Sequence, residues 1–146
     1  MILIDANILI YATMPVLPQH EAASNWLNRQ LSGSSRVGLP WPSLLGFLRV
    51  VTNPRVFASP PSTREAWRRV TAWLGCNTVW TPHPMDRHPE LFGQLLSLPG
   101  VRANLVHDAH IAALAIEHGL ILCSTDGDFA RFPGLRWQNP IGAEKL

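Results

Sequence analysis

The sequence is short of the residues that staple small secreted proteins or anchor membrane ones. It has two cysteines in 146 residues, Cys76 and Cys123, too few for a disulfide framework. Cys123 lies inside an apolar run, where a thiol behaves as a small hydrophobe. A reducing, cytoplasmic compartment is the expectation. No uninterrupted apolar run nears the ~20 residues that a membrane-spanning helix needs, so no membrane association is expected. No basic region precedes "MILI", and Asp5 breaks that run at once, which argues against a signal peptide. Lysine is nearly missing, since eleven of the twelve bases are arginine. No internal repeat or low-complexity stretch is visible. The length suits one domain, residues 1–146, with a real core.

What is present is an alternation of short apolar runs and longer amphipathic ones. Strands are expected at Met1 to Ile4, Arg36 to Leu39, Thr78 to Trp80, Leu120 to Ser124 and, briefly, Arg136 and Trp137. Helices are expected over Asn7 to Met14, Pro18 to Leu31, Ser43 to Val51, Thr63 to Leu74, Pro89 to Leu98 and Asn104 to His118. Pro42 suits a first helical turn, and Gly119 suits a C-terminal cap. Trp26, Trp67 and Trp73 share helical stripes with aliphatic residues and are expected in the core. This alternation predicts an α/β fold: a mostly parallel sheet of four to five short strands with helices on both faces.

Such sheets bind ligands outside the carboxyl ends of their strands, where strand order reverses. Asp5 in "IDAN" and Asp126 in "STDGDF" both directly follow a predicted strand. Asp108 in "VHDAH" lies in the first turns of the helix leading back to the fourth strand, and Asp128 is two residues beyond Asp126. Each alone is compatible with ordinary capping or turn chemistry. Together they converge on one rim. Two carboxylates about 4 Å apart repel by roughly 4 kcal/mol at an effective dielectric of 20. A cluster of them therefore needs protons or a cation, and oxygen-only ligands favour Mg²⁺ or Mn²⁺. With these four acids set aside, the remaining six face twelve bases, leaving +6 on the rest of the molecule. Arginine suits phosphate contacts.

Four segments carry a resemblance: "IDANILIYA" (4–12), "LLGFLRVVTNPRVF" (44–57), "VHDAHIAALAIEHGL" (106–120) and "LCSTDGDFARFPGLRWQNP" (122–140). The chain resembles PIN-domain ribonucleases, in particular the VapC-type toxins of bacterial toxin–antitoxin pairs. The resemblance implies Mg²⁺- or Mn²⁺-dependent hydrolysis of RNA, of which transfer and ribosomal RNA are both candidate targets, leaving a 5′-phosphate and a 3′-hydroxyl. It also implies a cognate antitoxin that blocks the site, and a homodimer. By the same resemblance the acids fall on Asp5, Asp108 and Asp126, which would bind the metal, with Asp128 as an additional acid and Asn7 as an orienting group. One family acid is absent. Many relatives carry a glutamate in the helix after the second strand, yet no Asp or Glu occurs here between Glu21 and Glu65. Ser43, Gly46 or Phe47 stands near that place, which puts a second metal in question.

Other signals are weaker. His107 and His110 have i, i+3 spacing, but no matching pair completes a zinc site; they are expected on a solvated helix face. The segment His83 to Glu90 is expected as a polar loop before a helix. Arg49 and Arg55 are candidates for RNA phosphate contacts, whereas Arg64, Arg68 and Arg69 form a solvated basic face. Trp41 could stack a splayed base. Two alternatives to the nuclease stand beside it. A haloacid-dehalogenase-like phosphatase also places Asp after its first strand, but wants a second Asp and a Thr where Asn7 and Leu9 stand. A catalytically weak RNA- or protein-binding relative would account for the missing glutamate.

Overall fold

The computed structural model describes residues 1–142. Five short strands form one sheet: β1 (Ile2–Ile4), β2 (Val37–Gly38), β3 (Val79–Trp80), β4 (Ile121–Cys123) and β5 (Trp137–Gln138). Their order is β3-β2-β1-β4-β5, and every pairing is parallel. The chain therefore winds outward from β1 to β3, crosses back, and continues from β4 to β5 on the other side. The strand order reverses between β1 and β4, which pair from Ile2–Ile121 to Ile4–Cys123.

Six helices cover the sheet: α1 (Ala6–Thr13), α2 (His20–Leu31), α3 (Trp41–Val51), α4 (Thr63–Leu74), α5 (His88–Leu96) and α6 (Asn104–His118). Side chains alternate across each strand, so β1 and β4 feed two cores. Ile4 and Cys123 face a core with residues of α1 to α4, including Leu9, Leu27, Phe47 and Val70. Leu3 and Leu122 face the opposite one, with Leu95 of α5 and Ile111 and Leu114 of α6. α6 carries buried alanines at 109, 112, 113 and 115, small residues that let it lie close to the sheet. It ends where Gly119 turns left-handed at φ 66°, a conformation that glycine adopts without the Cβ penalty.

Two expectations for side chains are corrected. Trp67 is not core. It is 44% exposed and stacks on the half-exposed Trp41, with ring centroids 6.5 Å apart. Its helix turns it past the edge of the stripe that buries Ala66, Val70 and Trp73. The segment from His83 to Glu90 is a loop that runs into a helix, as expected, but His88, which opens α5, is buried and not part of a polar surface. Among the described residues, no helix is long and apolar enough to cross a membrane.

Candidate active site

Asp5 leaves β1 as the N-cap of α1, where its Oδ1 accepts the Ala6 amide at 2.8 Å. Asp126 leaves β4 in the same manner: its Oδ1 accepts the Asp128 amide at 2.9 Å and starts a short 3₁₀ turn, Gly127–Arg131. Both carboxylates thus stand at the carboxyl ends of the two central strands, at the point of reversal. The same local chemistry, a capping aspartate after a strand, serves twice.

Ser124 ties these two ends together. Its fully buried hydroxyl donates to Asp5 Oδ2 at 2.8 Å and accepts from Asn7 Nδ2 at 3.0 Å and from the Asp126 amide at 3.1 Å. Asn7 Oδ1 accepts in turn from the Thr125 amide at 3.4 Å. Asn7 thus orients the β4 loop against the start of α1. The sequence reading passed over Ser124. Its signal was available: a lone hydroxyl residue between a buried strand and an acid.

Asp108 projects from the second turn of α6 toward the same rim. One carboxylate oxygen from each of Asp108, Asp126 and Asp128 lies within 4.8 Å of the others. Asp128 therefore stands inside the cluster. Asp5 stands beside it, both its oxygens engaged with Ala6 and Ser124. The crowding is felt. The Asp108 carboxyl is pushed up to about 6 by burial first, then by the charges of Asp126, Asp5 and Asp128. The Asp5 carboxyl is also raised, chiefly by burial, against the pull of its hydrogen bonds to Ser124 and Ala6. Arg131 offsets part of the charge, with its guanidinium 3.3 Å from Asp128.

The donor set of the cluster is oxygen only, anionic and closely spaced. That suits a hard divalent cation such as Mg²⁺ or Mn²⁺, and not a soft one. Beside the acids, α3 and α6 enclose an open cleft of about 730 Å³, lined by Gly46, Arg49, His107, Asp108 and His110 among others. Arg49, on α3, therefore lines the same cleft as Asp108, on α6. Arg55 lies further along, exposed in the loop after α3, where its amide is held by Asn53. Of the three positions near the absent glutamate, Gly46 is the one that borders the cleft. Ser43 is fully buried with its hydroxyl unpartnered, and Phe47 is core.

A strand-order reversal, two strand-end aspartates and a third acid from the returning helix define a class of α/β proteins with an acidic site. The sequence pattern of the PIN domain matches residues 2–135, and the chain belongs to that family. Ribonuclease VapC37 of Mycobacterium tuberculosis is 40% identical over 138 residues, covering 94% of this chain and 96% of its own. Ribonuclease VapC43 of the same organism is 39% identical over 144 residues, 99% and 98% of the two chains. Among solved structures, Mycobacterium tuberculosis VapC20, a sarcin-ricin loop cleaving toxin, superposes with a TM-score of 0.67 at 19% identity, over 93% and 99% of the chains. VapBC2 from Rickettsia felis, solved on a DNA fragment from its promoter, gives a TM-score of 0.67 at 19% identity, over 95% and 98%. At such identities these two bear on the fold alone.

Proposed function

We propose that the chain is a Mg²⁺- or Mn²⁺-dependent endoribonuclease, the toxin of a cytoplasmic toxin–antitoxin pair, held in check by a cognate antitoxin and acting as a homodimer. The observation that carries this reading is the convergence of Asp108, Asp126 and Asp128 beside a cleft between α3 and α6. The full-length likeness to curated ribonucleases supports the substrate class. Structured RNA, transfer or ribosomal, is the substrate we favour.

Asp108, Asp126 and Asp128 would hold the cation, with Asp5 completing the site from its capped position. When bound, the ion supplies an activated water and neutralises charge on the phosphodiester. The protein's own groups fix the geometry. Ser124 holds Asp5 and the Asp126 loop in one register, and Asn7 locks that loop to α1. Arg49, on the cleft wall opposite Asp108, is set to steady a substrate phosphate, as an arginine fork does well. Three carboxylates and no glutamate on α3 fit one cation.

Labelled structured RNA incubated with the protein in Mn²⁺, Mg²⁺ or EDTA tests this. Metal-dependent cuts, abolished by EDTA, are expected. Asp126→Asn keeps an oxygen for the Asp128 amide and so keeps the turn, but removes a charge from the cluster. It should lower cleavage by more than the ~10–100-fold typical of groups that merely support a metal site. RNA binding without cuts in any metal would favour a catalytically weak relative instead.

A further inference from the structure

A second polar constellation joins α5 and α6. Glu117, whose side chain is only 1% exposed, stands 2.8 Å from His88 Nδ1 through its Oε1. His88 Nε2 stands 2.9 Å from His110 Nδ1. Phe92 packs against both imidazoles, with centroids 5.6 Å and 5.7 Å away. His110 borders the cleft, and its Nε2 has no partner among the described residues. Burying a carboxylate is costly unless its partners are in place. This one anchors a chain of two imidazoles that ends at the cleft, and the acid cluster does not need it.

For a neutral His88, the direction of the protons follows from the anchor. An ionised carboxylate only accepts, so His88 donates to it from Nδ1. A neutral His88 then has a lone pair at Nε2. Between nitrogens 2.9 Å apart there is room for one proton, so His110 supplies it from Nδ1. The remaining nitrogen, His110 Nε2, is left as a hydrogen-bond acceptor on a residue that borders the cleft. A phosphate, with acceptors only, gains nothing from such an atom. A hydroxyl does.

We propose that His110, positioned by His88 and Glu117, accepts a hydrogen bond from a ribose 2′-hydroxyl of RNA lying in the cleft. The 2′-hydroxyl is the one donor on an RNA backbone, and it is what separates RNA from DNA. It sits one carbon from the phosphodiester, and His110 lies two residues from Asp108 on the same helix. The assignment rests on the ribonuclease reading for its substrate, though not for the proton order of the relay.

Two measurements test it, both at pH 8 on the full chain. The first is a long-range proton–nitrogen NMR spectrum of the histidines, which reads the protonated nitrogen without any substrate. His110 protonated at Nδ1 is expected; His110 protonated at Nε2 overturns the relay. The second uses stem–loop oligoribonucleotides carrying 2′-fluoro in place of 2′-hydroxyl one loop position at a time, with binding followed in EDTA and cleavage in Mn²⁺. One position should lose about threefold to tenfold in affinity, the worth of one net hydrogen bond. His110→Ala should erase that preference.

Glu117→Gln gives the sharper control. The Met85 amide donates to Glu117 Oε2 at 3.3 Å, so a glutamine should keep its carbonyl there and turn its amide toward His88. Every proton in the relay then reverses and His110 presents N–H to the cleft. The spectrum should show the other tautomer, and the preference for hydroxyl over fluorine should shrink while His110 remains. Binding with no positional preference, or no binding, overturns the proposal. Absence of cleavage alongside a retained hydroxyl preference sinks the nuclease reading and leaves the relay standing.

Discussion

The hydroxyl of Ser124 has one proton to give and two lone pairs to fill, and all three are spent on Asp5, Asn7 and the Asp126 amide. Replacing it by alanine strands a buried carboxylate oxygen and a buried amide. Ser124→Ala should therefore cost about 1–3 kcal/mol in chemical denaturation, and it should weaken cleavage because Asp5 and Asp126 lose their common tether. A variant as stable as the parent would mean that water replaces the hydroxyl without loss. Asp108 makes an opposite prediction. A carboxyl raised to about 6 in the folded chain binds its proton more tightly there than in the unfolded one. Its contribution is present at low pH and is lost as pH climbs from the ordinary aspartate range through about 6. In EDTA, Asp108→Asn should accordingly raise Tm at pH 7 and flatten the loss between pH 4 and 6. In the parent, Mn²⁺ should restore Tm in a concentration-dependent way; in Asp108→Asn it should do so less. The acids were legible in sequence because each follows a strand or heads a helix. Ser124 was readable only as a hydroxyl between a strand and an acid, and Glu117 not at all, since a glutamate in a helix looks alike whether buried or solvated until its partners, far off in sequence, are placed.

At the scale of elements, the helices show how much local pattern carries. α4 and α6 end where their stripes and caps predict, at Thr63 to Leu74 and Asn104 to His118. Ser62 accepts the Glu65 amide, and Gly119 closes α6. The start of α6 was placed correctly although Ala103 before it has neither a capping side chain nor ordinary dihedrals. It sits at φ 54°, ψ −124°, a region that glycine tolerates and alanine does not. That strain lies five residues from Asp108. Ala103→Gly should raise stability by about 0.5–1 kcal/mol, read by denaturant titration, if relief of strain outweighs the added freedom of the unfolded chain. Trp67, by contrast, was misread. A helical stripe fixes which residues share a face, but not how far the neighbouring element extends to cover its edge, and here Trp41 covers it only partly.

Across the whole molecule, four of the ten acids gather near one rim and twelve bases outnumber the other six, so a polyanion should be drawn to the surface and accepted at one place. RNA affinity should then fall linearly with the logarithm of salt concentration, by roughly 0.7–0.9 per phosphate contact. Arg49→Ala should weaken binding evenly across sequences and lower that slope by about one, whereas Arg55→Ala, outside the cleft, should do less. Filter binding across a salt series measures both. An unchanged slope for Arg49→Ala would remove it from the phosphate path. The sheet's layered architecture followed from alternation alone. The cleft did not, because it is made by the separation of α3 from α6, which no local pattern encodes.

The sheet's central pair, β1 and β4, joins the first strand of the chain to nearly its last, with Asp5 and Ser124 separated by 119 positions. No fragment released early by the ribosome contains both partners. A polypeptide that stops before residue 121 has half a centre and an open sheet edge. Assembly of the acid rim therefore waits for β4, however early the first strand and its helix form.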